Sequence, residues 1–190
     1  MMGCNDMLQG ERVVLRPTRR EDLPRIFQFT NDPAFKTLIG DLPLEPQSLE
    51  RLTAQHEVQW SAGGREGPRF AVEADGQYIG HIFLYDVERS AGTAYLSIGI
   101  GDPAYQGKGY GREALRLMLD YAFRLYNLRK VCLNVNASNQ RAIYSYRACG
   151  FVEEGRQRQQ VWIGDRYDDL VYMGILRDEW ATEPSQLVQP

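Results

Sequence analysis

A chain of 190 residues, 43% hydrophobic, 11% aromatic and 25% charged, carries enough apolar material for one filled core; it reads as a single domain over 8–180, with flexible tails expected at 1–7 and 181–190. A net charge of −3 lacks the basic excess of a general nucleic-acid binder, and no apolar run nears the roughly 20 residues that cross a bilayer as a helix, so neither partner is expected and a cytoplasmic location is. Three cysteines without disulfide or zinc spacing, and two histidines far apart, argue for reduced thiols and against a bound metal.

Arg12 to Arg16 reads as a short strand ended by Pro17. Thr18 and Glu21 form a T-x-x-E capping box, after which Leu23, Ile26 and Phe27 share one helical face as far as Thr30, with Asn31, Asp32 and Pro33 as the stop. Leu42 to Gln47 is expected to be a loop, Ser48 to Trp60 a second helix, and Gly63 to Pro68 an exposed loop. From Arg69 the period shortens to two. Phe70 to Glu73, Gln77 to Tyr85 and Thr93 to Ile100 form an antiparallel meander, turning at Asp75-Gly76 and at Glu88 to Gly92.

Gly109 to Tyr126 then shows Leu115, Met118, Leu119, Ala122, Phe123 and Tyr126 at the spacing of a helix that buries one face. The strand that follows, Lys130 to Val135, must lie parallel to Thr93 to Ile100, because a helical crossover joins them. A helix from Ser138 to Cys149 capped by Gly150, and a closing hairpin of Phe151 to Gln160 and Tyr167 to Leu176, complete the chain. The expected class is α+β: a mixed, mostly antiparallel sheet of six or seven strands with about four helices.

The segment Tyr105-Gln106-Gly107-Lys108-Gly109-Tyr110-Gly111-Arg112 falls where a strand passes into the long helix. Glycines let the backbone turn tightly and approach a ligand, and the amides that open a helix point at negative charge, so this loop suits a pyrophosphate. It is not a Walker loop, since G-x-x-x-x-G-K-[ST] is absent. Neither is it a dinucleotide fingerprint, because the spacing is G-x-G-x-G after an antiparallel meander.

Q-x-x-G-x-G (Gln106, Gly109, Gly111) followed by an amphipathic helix resembles the acyl-CoA pyrophosphate loop of the GNAT acetyltransferase superfamily. Asn139 to Phe151 is similar to the superfamily's N-x-x-A-x-x-L-Y-x-x-x-G-F helix, with Ser145 in place of the usual apolar residue. The opening LQGERVVLRPTRREDL and the ending GDRYDDLVYMGILRDEW resemble the RimJ/RimL-like branch. The resemblance implies that the two parallel strands splay apart and that acetyl-CoA lies between them as co-substrate, without a metal. Gly99 and Gly101 would supply a bulge there. The implied cofactor contacts are Ile98, Gly99, Ile100, Gln106, Gly107, Lys108, Gly109, Tyr110, Gly111, Arg112 and Asn139, the last also a helix cap.

Tyr146 is the candidate catalytic residue. It lies two turns beyond Asn139 on the helix face that carries Ala142 and Cys149, and motif position singles it out over Tyr144. A phenol near pKa 10 facing a thiol near 8.5 makes full proton transfer uphill by about 1.5 units, ~2 kcal/mol, so hydrogen bonding to the departing thiolate is the expected role. The implied reaction is direct attack by a primary amine (a protein N-terminus, a polyamine or another small amine) on the thioester, in a monomer or homodimer. Tyr95 stands where relatives often carry glutamate, which leaves Asp86, Glu88, Asp168 and Asp169 as candidate bases, with a relay through water as the equal alternative. A catalytically silent acyl-CoA-binding sensor is the rival reading. Acidic residues Asp41, Glu45, Glu50 and Glu57 could line an acceptor pocket, but Arg51, Arg65 and Arg69 offset them.

Overall fold

In the computed structural model the described residues are 8–39, 45–61 and 67–180. The tails expected at 1–7 and 181–190, and Asp41, Gly63, Gly64 and Arg65, lie outside them. Eight strands build one sheet: β1 (Leu8–Gln9), β2 (Val14–Arg16), β3 (Arg69–Ala74), β4 (Gln77–Glu88), β5 (Thr93–Ile100), β6 (Lys130–Asn136), β7 (Val152–Trp162) and β8 (Tyr167–Leu176). Their spatial order is β1-β2-β3-β4-β5-β6-β8-β7. Every neighbouring pair is antiparallel except β5 with β6. The described sheet therefore exceeds the expected six or seven strands. The missed strand, β1, makes only the pairs Leu8↔Leu15 and Gln9↔Val14, too short to show a period.

Among the described residues six α-helices rather than four accompany the sheet: α1 (Leu23–Thr30), α2 (Pro33–Ile39), α3 (Leu49–Ser61), α4 (Tyr110–Asp120), α5 (Gln140–Arg147) and α6 (Arg177–Trp180). α1 ends at Thr30 as expected, and Pro33, beyond the break at Asn31 and Asp32, starts α2. A proline fits the first helical turn, where its missing N–H has no partner to lose, and Asp32 Oδ1 accepts from the Ala34 amide at 2.9 Å. The capping box also moves. Asp22, not Glu21, accepts from the backbone at 2.8 Å, from Arg19. Asp22 is buried because it pairs bidentately with buried Arg16 at 2.8 and 2.9 Å, which fixes which carboxylate can turn inward.

One face of the sheet is covered by α4 and α5, through Leu115, Met118, Leu119 and Ile143 against Ile82, Leu84, Leu96 and Leu133. The other packs Leu23, Ile26, Phe29, Phe35 and Leu52 against Ala71 and Tyr78. Beyond α4 the helix widens into a π-turn over Tyr121–Leu125, so the expected single helix to Tyr126 changes pitch. Asp120, fully buried just before it, accepts from Trp180 Nε1 at 2.8 Å and Arg124 Nε at 2.9 Å.

Candidate active site

The parallel pairing of β5 with β6 consists of Thr93↔Lys130, Ala94↔Val131 and Tyr95↔Cys132. Beyond it the strands part. A cavity of about 620 Å³ opens in the gap, lined by both strands, the start of α4, one face of α5, and Val161 and Leu170 of the closing hairpin. β5 stays in register with β4 from Tyr95 to Ile100, so no bulge occurs at Gly99. The sequence expectation is corrected on a steric ground: Gly80 lets the Gly99 carbonyl close on β4, where any Cβ at position 80 would overlap it. Gly101 instead makes room for the Phe29 ring. Because Gly99 turns its backbone to β4, Ile98 and Ile100 turn theirs to the gap. The irregularity lies in β4, between Tyr85 and Glu88, where Asp86 has φ 47°.

At one end of the gap the glycine loop meets α4. Gly107 and Gly109 are left-handed, with φ 72° and 93°, and Gly109 caps α4 without a side-chain hydrogen bond, leaving the first amides of the helix to a ligand. Gln106 Nε2 donates to the Ile100 carbonyl at 2.8 Å, and Gln106 Oε1 accepts from Arg141 at 3.3 Å. Arg112 lines the cavity, and its buried Nε has no hydrogen-bond partner. An uncapped helix start beside a guanidinium nitrogen without a hydrogen bond suits an anion, and the open edge of β5 suits the amides of an extended arm. The residues present thus fit a pyrophosphate carried on an amide-bearing chain.

Ile98, Gly99, Ile100, Gln106, Gly107, Gly109, Gly111, Arg112, Asn139 and Tyr146 all line this cavity. Lys108 and Tyr110 do not. The Lys108 carbonyl accepts from Arg12 at 3.2 Å, and the Tyr110 ring lies under the Arg12 guanidinium at 4.8 Å. Asn139 caps α5, its Oδ1 accepting from the Ala142 amide at 3.2 Å.

Tyr146 is half-buried, its ring 5.9 Å from Phe151. Burial pushes its phenol up to about 12, with Tyr85 and Cys149 adding to the shift, so it stays protonated through the neutral range. Among the candidate bases, Glu88 accepts from Ser90 at 2.7 Å. Asp168 accepts from the Ser138 and Asp169 amides at 2.9 Å, and Asp169 accepts from the Gln159 amide at 2.9 Å. Asp86 makes no such bond among the described residues, and its charge raises the phenols of Tyr85 and Tyr95, both already raised by burial. Glu57 is paired with Arg20 at 2.7 Å, and neither Glu45 nor Glu50 lines the cavity.

Sequence reasoning missed Phe83, Tyr85, Asn134 and Asn136, all in the lining. A signal existed. Asn134 and Asn136 alternate on a central strand, where polar residues need a reason, and Phe83 and Tyr85 alternate on β4. Among the described residues no group of three or more His, Cys, Asp or Glu side chains is placed to hold a metal, and no helix is long and apolar enough to cross a membrane.

Comparison with known proteins gives four likenesses. Residues 12–152 match the family model described as an acetyltransferase (GNAT) domain. Spermidine N(1)-acetyltransferase of Escherichia coli is 33% identical over 178 residues, 93% of this chain and 92% of that protein. The crystal structure of spermidine N-acetyltransferase from Vibrio cholerae in complex with CoA and spermine superposes with a TM-score of 0.81 at 31% identity, covering 90% of this chain and 99% of the other. A putative ribosomal N-acetyltransferase of Bacillus subtilis is 29% identical over 57% of this chain and 59% of its own length.

Proposed function

The chain belongs to the GNAT acetyltransferase family and is an acetyl-CoA-dependent N-acetyltransferase of amines; from that premise we propose that the gap between β5 and β6 is its active site, with Tyr146 as the catalytic residue. The observation that carries the assignment is the parting of two parallel strands after Tyr95↔Cys132, with the glycine loop at one end of the gap and a protonated phenol in its wall.

Acetyl-CoA supplies an activated acyl group on sulfur. The amides that open α4, with Arg112, hold its diphosphate, while Ile98 and Ile100 offer backbone groups to its arm. Gln106 and Asn139 keep the loop and α5 in place around it. Both reactants sit in one cleft, so orientation supplies much of the rate. In the overall reaction a C–N bond forms as the C–S bond breaks, and the proton lost by the amine ends on sulfur. A phenol at about 12 facing a thiol near 8.5 is about 3.5 units, ~5 kcal/mol, from giving up its proton. Tyr146 therefore stabilises developing charge by hydrogen bonding and keeps its proton, a firmer form of the expected role.

Asp86 is the carboxylate we assign to drawing the acceptor amine to the cleft, since Glu88, Asp168 and Asp169 are engaged elsewhere. Spermidine is the acceptor in the relatives' names, spermine is bound in one of their structures, and both carry the primary amine that this chemistry requires. The RimJ/RimL-like branch and a cytoplasmic setting, with Cys132 and Cys149 in no disulfide, complete the reading. It is tested with purified protein, acetyl-CoA and a panel of primary amines, reading a mass gain of about 42 Da per acetyl group. Binding of acetyl-CoA with no gain on any amine would refute it.

A further inference from the structure

On the sheet face remote from α4 and α5, alternate residues of β4 and β5 bring four rings into a row. His81 lies 5.7 Å from Phe83, Phe83 lies 5.8 Å from Tyr85, and Tyr85 lies 5.6 Å from Tyr95, centroid to centroid. Tyr85 and Phe83 also line the active-site cavity, so the row continues the gap in which Tyr146 sits. The two ends of the row differ in charge. At the Tyr85 end stands the Asp86 carboxylate, which acts on both Tyr85 and Tyr95. At the Phe83 end the Arg69 guanidinium lies 3.7 Å over the Phe83 ring, and its charge helps hold both His81 and His56 below the ordinary histidine range, after burial.

We propose that this row is the acceptor subsite and that it selects aromatic monoamines over di- and polyamines. The inference rests on the active-site reading above. The amine is drawn to the Tyr85 end, where Asp86 acts on Tyr85 and Tyr85 in turn acts on Tyr146. The body of the acceptor then lies along Tyr85 and Phe83, where an aromatic ring gains offset or edge contacts that a flexible methylene chain does not. A second ammonium group would arrive where Arg69 already occupies the face of Phe83. With that face taken, a polyamine loses the cation–π contact it would otherwise make there.

The test compares kcat/KM for phenethylamine and tyramine with that for 1,5-diaminopentane and spermidine, at saturating acetyl-CoA, in the intact chain. The aromatic monoamines are expected to exceed the diamine and spermidine by about tenfold or more. Phe83→Leu, which keeps an apolar side chain and so guards against misfolding, should cost the aromatic amines about fivefold more than it costs n-pentylamine. Arg69→Glu should raise kcat/KM for spermidine about fivefold or more relative to phenethylamine. A wild-type preference for spermidine, or an Arg69→Glu ratio equal to wild type, overturns the proposal while leaving the acetyltransferase assignment standing. Failure of every amine in the presence of bound acetyl-CoA brings down the assignment itself, and the proposal with it.

Discussion

The side-chain amide of Gln106 donates to the carbonyl of Ile100 at 2.8 Å, tying the glycine loop to the last residue of β5. The same amide accepts from Arg141 on α5, so one residue fastens three elements around the mouth of the cleft. Gln106→Ala releases the Ile100 carbonyl and the loop together. It should raise the KM for acetyl-CoA about three- to tenfold, from the loss of one or two hydrogen bonds, with kcat much less affected. Steady-state kinetics with acetyl-CoA as the varied substrate reads both.

Tyr146→Phe removes the hydroxyl and keeps the ring that packs on Phe151. We expect kcat to fall about 10²-fold with little change in the KM for acetyl-CoA. Because burial raises the phenol to about 12, the wild-type rate should show no alkaline loss assignable to Tyr146 below about pH 10. A kcat equal to wild type would remove Tyr146 from the chemistry.

Gly109 sits at φ 93°, where an L side chain is strained, and it is the residue from which the uncapped amides of α4 begin. Gly109→Val should therefore abolish acetyl-CoA binding by calorimetry. The thermal midpoint of the unliganded protein should fall only modestly, since the loop contributes little to the buried core.

Asp86→Asn tests the carboxylate at the bulge of β4. The expected result is a loss of about tenfold in kcat/KM for the amine, with the KM for acetyl-CoA unchanged. An equal loss on both substrates would mean that the change acts through the fold and not through the acceptor.

His81 is packed between Phe83 and the edge of Phe35, with the Tyr78 hydroxyl 3.3 Å from its Nδ1. Burial, and then the charges of Arg69 and His56, lower it to about 3. Its folded value is below the unfolded one near 6.5, so the unfolded chain binds the proton first as pH falls. Stability from this site is full above about pH 6.5 and is lost progressively down to about 3. His81→Gln should flatten the fall of the thermal midpoint between pH 7 and about 4, read by circular dichroism.

Much of the frame was legible because its signals are local. Thr93 to Ile100 and Tyr167 to Leu176 fall at the residues their alternation marks, and the parallel step follows from the handedness of a helical crossover. The glycine loop was equally open to reading, since its chemistry lies in one short stretch. What escaped depends on partners distant in the chain. β1 exists only because β2 receives it, and Asp22 displaces Glu21 as the capping carboxylate only because Arg16 is buried beside it. Phe83 and Tyr85 read as ordinary alternating residues until the fork between β5 and β6 shows that their face is open to the cleft.

Glu113, in the first turn of α4, accepts from the amides of Arg12 and Val13 at 2.7 and 3.0 Å and from Arg12 Nε at 3.2 Å, while Arg12 also reaches the Lys108 carbonyl. The doorway we propose for the coenzyme is thus latched by residues about a hundred positions earlier in the chain. During synthesis the latch emerges about a hundred residues ahead of its catch, so a nascent chain must wait for most of its length before that doorway can set. Shortening the protein from its beginning, past Arg12, would leave the hinge post without its bolt.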